Sequence, residues 1–143
     1  MTNYLKKIDE LTANLNQDQK KFLYLDHLKS LIKTMDKNEN HDFDEELEKL
    51  LELLKPVGED YQRETRKPYI KQYQQIKSKA RKKYGYIQKG TAYGEYMGIL
   101  FPFGVAYGII FDNLALGIGF GLLAASIVSM WVEKNAEKKG LVF

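Results

Sequence analysis

Along the first eighty residues, apolar positions recur at alternating spacings of three and four, the signature of helices with one buried face. Tyr4, Ile8, Leu11 and Leu15 make the first stripe. Asn16, Gln17 and Asp18 interrupt it, and Asp18 is placed to cap a second helix running to about Met35. Its inner face reads Phe22, Leu25, Leu28, Ile32 and Met35. Residues 36–40 are a polar turn, after which Asp42 and Glu45 open a third helix in the manner of a capping box. Phe43, Leu47, Leu50, Leu54 and Val57 form the third stripe, and Pro56 and Gly58 are expected to stop it. Residues 59–67 are charged and weakly patterned. Pro68 suits the first turn of a fourth helix lined by Tyr69, Tyr73, Ile76, Ala80 and Ile87, with Gly85 and Gly90 as interruptions. No strand-like alternation occurs, so the expected class is all-α.

From residue 96 the pattern changes. YMGILFPFGVAYGIIF is followed by the polar pair Asp112 and Asn113, then by LALGIGFGLLAASIVSMWV. The second run, 114–132, holds 19 residues without a charge and spans about 28 Å as a helix, close to the ~30 Å hydrocarbon layer of a bilayer. The first run must draw on residues 91–96 to match it, and so includes Glu95. Neither run shows a polar face. The expectation is a cytoplasmic amphipathic helical domain followed by a transmembrane helical hairpin. Its parts would be a three-helix region at 1–58, a basic juxtamembrane helix or linker at 59–89, a two-span hairpin at 90–133 and a short tail at 134–143.

Small residues recur every fourth position in both runs. The second has Gly117, Gly121, Ala125 and Ser129; the first has Gly90, Gly94 and Gly98, then Gly104 and Gly108 two places out of phase after Pro102. Helices surrounded by lipid associate by close backbone approach, which such ridges permit. The ridges are expected to pack either within one chain or against other copies. Pro102 removes a backbone donor and is expected to kink the first run.

Charge distribution sets the expected orientation. Residues 1–58 carry 9 basic against 12 acidic side chains, residues 59–91 carry 10 against 3, and residues 92–143 carry 3 against 4. Lys77, Lys79, Arg81, Lys82, Lys83 and Lys89 lie before the first run, and Lys134, Lys138 and Lys139 follow the second. Lys and Arg near membrane ends stay inside, so both termini should face the cytoplasm of a multi-pass cell-membrane protein. The six basic residues are expected to meet anionic headgroups, each worth about 1 kcal/mol near such a leaflet, rather than nucleic acid.

The segment GVAYGIIFDNLALGIGFGLLAAS resembles the glycine-rich two-span hairpins of small uncharacterised membrane proteins from Gram-positive bacteria. The resemblance covers roughly residues 98–130. It implies a membrane location and no defined activity.

Candidate chemistry is sparse. There is no cysteine, so disulfides, thiolate zinc sites and thiol nucleophiles are excluded, and His27 and His41 are the only imidazoles. Asp36, Asn38, Asn40, Asp42 and Asp44 occupy the ligand positions of an EF-hand loop, but His41 stands where the turn needs glycine and Leu47 where a bidentate glutamate should close the shell. No metal, cofactor or catalytic residue is expected. The combined expectation is a non-enzymatic, two-span integral membrane protein whose hairpin anchors and oligomerises, with helices that bind a protein partner in an immunity, regulatory or assembly role. A pore-forming or holin-like protein is the alternative, and a transporter accessory subunit using Glu95 a weaker one.

Overall fold

The computed structural model describes residues 2–40 and 42–143; His41, considered above as an imidazole and loop residue, lies outside them. The described residues form seven helices and fall into two units, residues 1–86 with Phe143, and residues 87–142.

The first unit holds α1 (Thr2–Leu11), α2 (Gln17–Phe22), α3 (Leu25–Lys37), α4 (Asp44–Glu59) and α5 (Arg63–Tyr84). None of these helices can bury its stripe alone, so α1 packs on α3 and α4, and α4 packs on α5. Their inner faces supply a core that includes Ile8, Leu28, Ile32, Leu47, Leu54, Val57, Tyr69 and Tyr73.

Local chemistry moves several boundaries. Asn16, not Asp18, caps α2: its side chain accepts from the Gln19 N–H at 2.8 Å, and the Gln19 side chain accepts from the Asn16 N–H at 2.9 Å. The expected single helix from 18 to 35 is broken. Tyr24 is left-handed (φ 56°), which lets Leu23 and Leu25 both enter the core and leaves Phe22 52% exposed. The third stripe runs through its expected stop, because burying Val57 continues α4 past Pro56. Helix α5 begins at Arg63, so Pro68 lies inside it rather than at its start. It ends where Gly85 turns left-handed (φ 75°) and donates to the Arg81 carbonyl at 2.8 Å.

The second unit is built on α6 (Ala92–Ile110) and α7 (Leu114–Lys138), which pack along each other. Asn113 caps α7, its side chain accepting from the Leu116 N–H at 3.1 Å. At the other end the Ile87 N–H donates to the Leu141 carbonyl at 2.9 Å, and the Gly90 N–H donates to Glu133 Oε1 at 2.7 Å.

Among the described residues only α7 is both long and apolar enough to cross a membrane. Helix α6 has 19 residues, but Glu95, three tyrosines, Pro102 and four glycines dilute its apolar character. Close packing against α7 does not make it a span. This corrects the expected transmembrane hairpin and glycine-zipper description, and with them the multi-pass cell-membrane localisation with two cytoplasmic termini. The two-span anchoring function falls with its second span, as do the pore-forming and transporter-accessory alternatives built on that layout.

Candidate functional site

Helices α6 and α7 meet through bare backbone. A Cβ added at Gly104 would lie 2.5 Å from the Gly117 carbonyl oxygen, and one at Gly117 would lie 2.3 Å from that of Gly104. Gly108 approaches the Leu114 Cα and Gly121 the Leu100 carbonyl oxygen in the same way, at 2.9 and 3.0 Å. Ala125 and Ser129 are buried further along α7, where Ser129 Oγ donates to the Ser126 carbonyl at 2.9 Å. The other glycines of the first run do not join this seam. Gly94 and Gly98 face open space, and Gly90 is a left-handed turn residue (φ 77°) before α6. The two-place phase change after Pro102 thus separates a packed face from an unpacked one.

Because no side chain fills the seam, larger residues flanking it stand up as walls. Phe103 and Tyr107 on α6 and Phe111 at its C-cap recur every fourth residue, and Leu116 and Phe120 do so on α7. Between them lies an open groove of about 630 Å³ floored by the glycines. Tyr107 and Phe111 stack, with ring centroids 6.3 Å apart and planes within 10°. No charged side chain lines the groove; Asn113 and Tyr107 are the lining residues that carry polar groups.

The apolar surface continues beyond the groove. Ile99, Ile110, Leu123, Ile127 and Met130 are all exposed, and Trp131, the only tryptophan, is 67% exposed. Only 22% of the apolar window of α7 is buried. A helix at the core of a water-soluble protein would be covered, and this one is not.

The six basic residues divide between the units. Five lie on α5, and two of these already have acidic partners. Lys79 pairs with Glu46, and Lys83 Nζ lies 2.6 Å from Asp42 Oδ2, which also accepts from the Tyr84 hydroxyl. The Lys83 hydrogen bond, then that of Tyr84, holds the Asp42 carboxyl below the usual carboxylate range, and the same contacts raise the Lys83 ammonium. Lys77 and Arg81 are half-buried, while Lys82 and, in the second unit, Lys89 are exposed.

The EF-hand-like loop is spent on local structure. The Asn38 side chain donates to the Thr34 carbonyl at 2.7 Å, Asn40 is buried, and Asp42 serves Lys83 and Tyr84. Among the described residues no group of three or more His, Cys, Asp or Glu side chains could hold a metal ion. His27 is half-buried near Tyr24, and Glu95 is half-buried in the first turn of α6, where a carboxylate is favoured by the helix dipole.

An aromatic and cationic surface on the first unit gave no signal in the sequence. The Arg66 guanidinium lies 4.6 Å from the Phe22 ring and 4.5 Å from that of Tyr61. Phe22 reads as core by spacing and faces Arg66 only because the chain breaks at Tyr24.

No family model matches the chain, and no similar curated protein or solved structure was found. The resemblance to glycine-rich two-span membrane proteins is therefore withdrawn: one long apolar helix replaces the two it requires.

Proposed function

We propose that this is a non-catalytic, lipid-attached interaction protein. Helix α7 is the element that meets lipid, and the helices of the first unit bind a protein partner or a second copy. One observation carries the reading: the apolar window of α7 is membrane-length yet only 22% buried. Leaving this surface in water would cost roughly 25 cal/mol for each Å². Exposed Lys89, in the same unit as α7, supplies positive charge for anionic headgroups, and the Arg66 surface of the first unit offers a polar and aromatic contact for a protein.

Vesicle flotation of the full-length chain tests it. The protein should rise with phosphatidylglycerol-containing vesicles and bind less at high salt. Leu123→Glu with Ile127→Glu should abolish flotation, since a charge at a helix centre costs about 2.5–3.5 kcal/mol in the membrane. Lys89→Gln should weaken binding by about 1 kcal/mol. A chain that stays below the vesicles as a soluble monomer would overturn the proposal.

A further inference from the structure

The groove between α6 and α7 has a shape and polarity that the attachment reading does not require. We infer that it is a binding site for one acyl chain of a zwitterionic, amine-headed phospholipid, with the headgroup at the Asp112 end. This inference rests on lipid being what covers α7, and it goes further by naming which lipid and where.

Three features select the occupant. The lining is apolar and aromatic without a charged side chain, so a polar peptide would lose its backbone hydrogen bonds to water and regain none. The volume, about 630 Å³, falls within the range of small-ligand pockets. At roughly 30 Å³ per methylene, similar to the share of one water in the liquid, it has room for about 21 carbons. A three-turn helix with its side chains occupies roughly 1,300–1,800 Å³, given its 10–12 Å diameter, and would seat only one row of residues. The groove also follows about 15 Å of α6, from Leu100 to the end of the helix beside Phe111, a path suited to an unbranched chain.

The third feature is charge. Asp112, exposed and held left-handed (φ 52°), adjoins the groove-lining Asn113 and is the one charged residue of the α6–α7 turn. A carboxylate there attracts an ammonium headgroup and repels a free fatty acid or an anionic head. Lys89 and Lys134 lie toward the opposite end of the two helices, about 15 Å of helix rise beyond the groove. The two ends of the unit would thus read different lipids.

The test uses the full-length chain in mixed vesicles containing phosphatidylethanolamine with a photoreactive acyl chain. Labelling should concentrate on peptides bearing Phe103, Tyr107 and Phe120. Ala124→Phe, which fills the groove from its exposed wall, should lower that labelling at least about fivefold, while Gly94→Ala, in open space outside the groove, should leave it unchanged. Asp112→Lys should reverse the preference in favour of phosphatidylglycerol. Flotation of each variant is read in parallel. Normal flotation with labelling spread evenly and indifferent to Ala124→Phe would overturn the acyl site while leaving lipid attachment standing. Loss of flotation in the parent chain would overturn both. Crosslinks between the groove residues of two chains would assign the groove to a second copy and overturn the lipid.

Discussion

Tyr69 and Tyr73 sit one turn apart on α5, both buried, yet their hydroxyls differ. Tyr69 donates to the Leu23 carbonyl at 3.1 Å, satisfying an acceptor left over where α2 breaks from α3. The Tyr73 hydroxyl has no partner among the described residues, and its ring stacks on Tyr24 at 5.8 Å. Burial pushes the Tyr73 phenol up to about 12 and raises that of Tyr69 as well. Both groups are neutral in the fold, whereas an unfolded tyrosine ionises near pH 10. Their contribution is therefore complete below pH 10 and declines as pH rises from 10 toward 12, because only the unfolded chain then loses its protons. Tyr69→Phe should cost about 1–3 kcal/mol in urea unfolding at neutral pH by orphaning a buried carbonyl. Tyr73→Phe should be neutral or slightly stabilising, and should flatten the alkaline decline followed by circular dichroism. The stripe through 69, 73, 76 and 80 was legible in the sequence. Which hydroxyl is satisfied was not, since the deciding carbonyl lies 46 residues away.

At the scale of elements, spacing identified the helices of the first unit and most of their buried faces, but not their ends. Gly58 reads as a helix terminator, yet it lies within α4 against α1, where an added Cβ would fall 1.9 Å from the Leu11 carbonyl oxygen. A backbone oxygen cannot swing aside, so the contact requires glycine. The glycines of α6 make the same point with opposite sign. Period-four spacing marked 94 and 98 as well as 104 and 108, although only the latter pair meets α7. Gly94 and Gly98 are helical with open space around them. Gly94→Ala and Gly98→Ala should each stabilise α6 by about 0.5–1 kcal/mol, by reducing the freedom of the unfolded chain. Gly117→Ala should destabilise the unit by about 1–3 kcal/mol by overpacking the seam. Thermal unfolding of the three variants in one detergent would show the sign change. A common sign would mean that the two glycine series share one environment.

Across the whole molecule, the contrast in composition between residues 1–86 and the apolar C-terminal part was plain in the sequence, whereas the number of spans was misread. Counting a run from 91 to 111 as apolar ignored what Glu95, Pro102 and the tyrosines do to a helix in lipid. The two units also bury different kinds of surface. The first closes a core of leucines and tyrosines on itself, while the second leaves Phe120, Ile127 and Trp131 outward. Their stabilities should therefore respond to different conditions. Trp131 is the only tryptophan and lies on α7, whereas seven of the ten tyrosines lie in residues 1–86, so each unit carries its own optical reporter. In urea with neutral detergent, tyrosine near-ultraviolet dichroism and Trp131 emission should give separate transitions. Raising the detergent-to-protein ratio or adding lipid should move only the tryptophan transition, by linkage to what binds that surface. Coincident transitions that shift together would mean the units unfold as one cooperative body, and lipid would then stabilise the leucine core as strongly as α7.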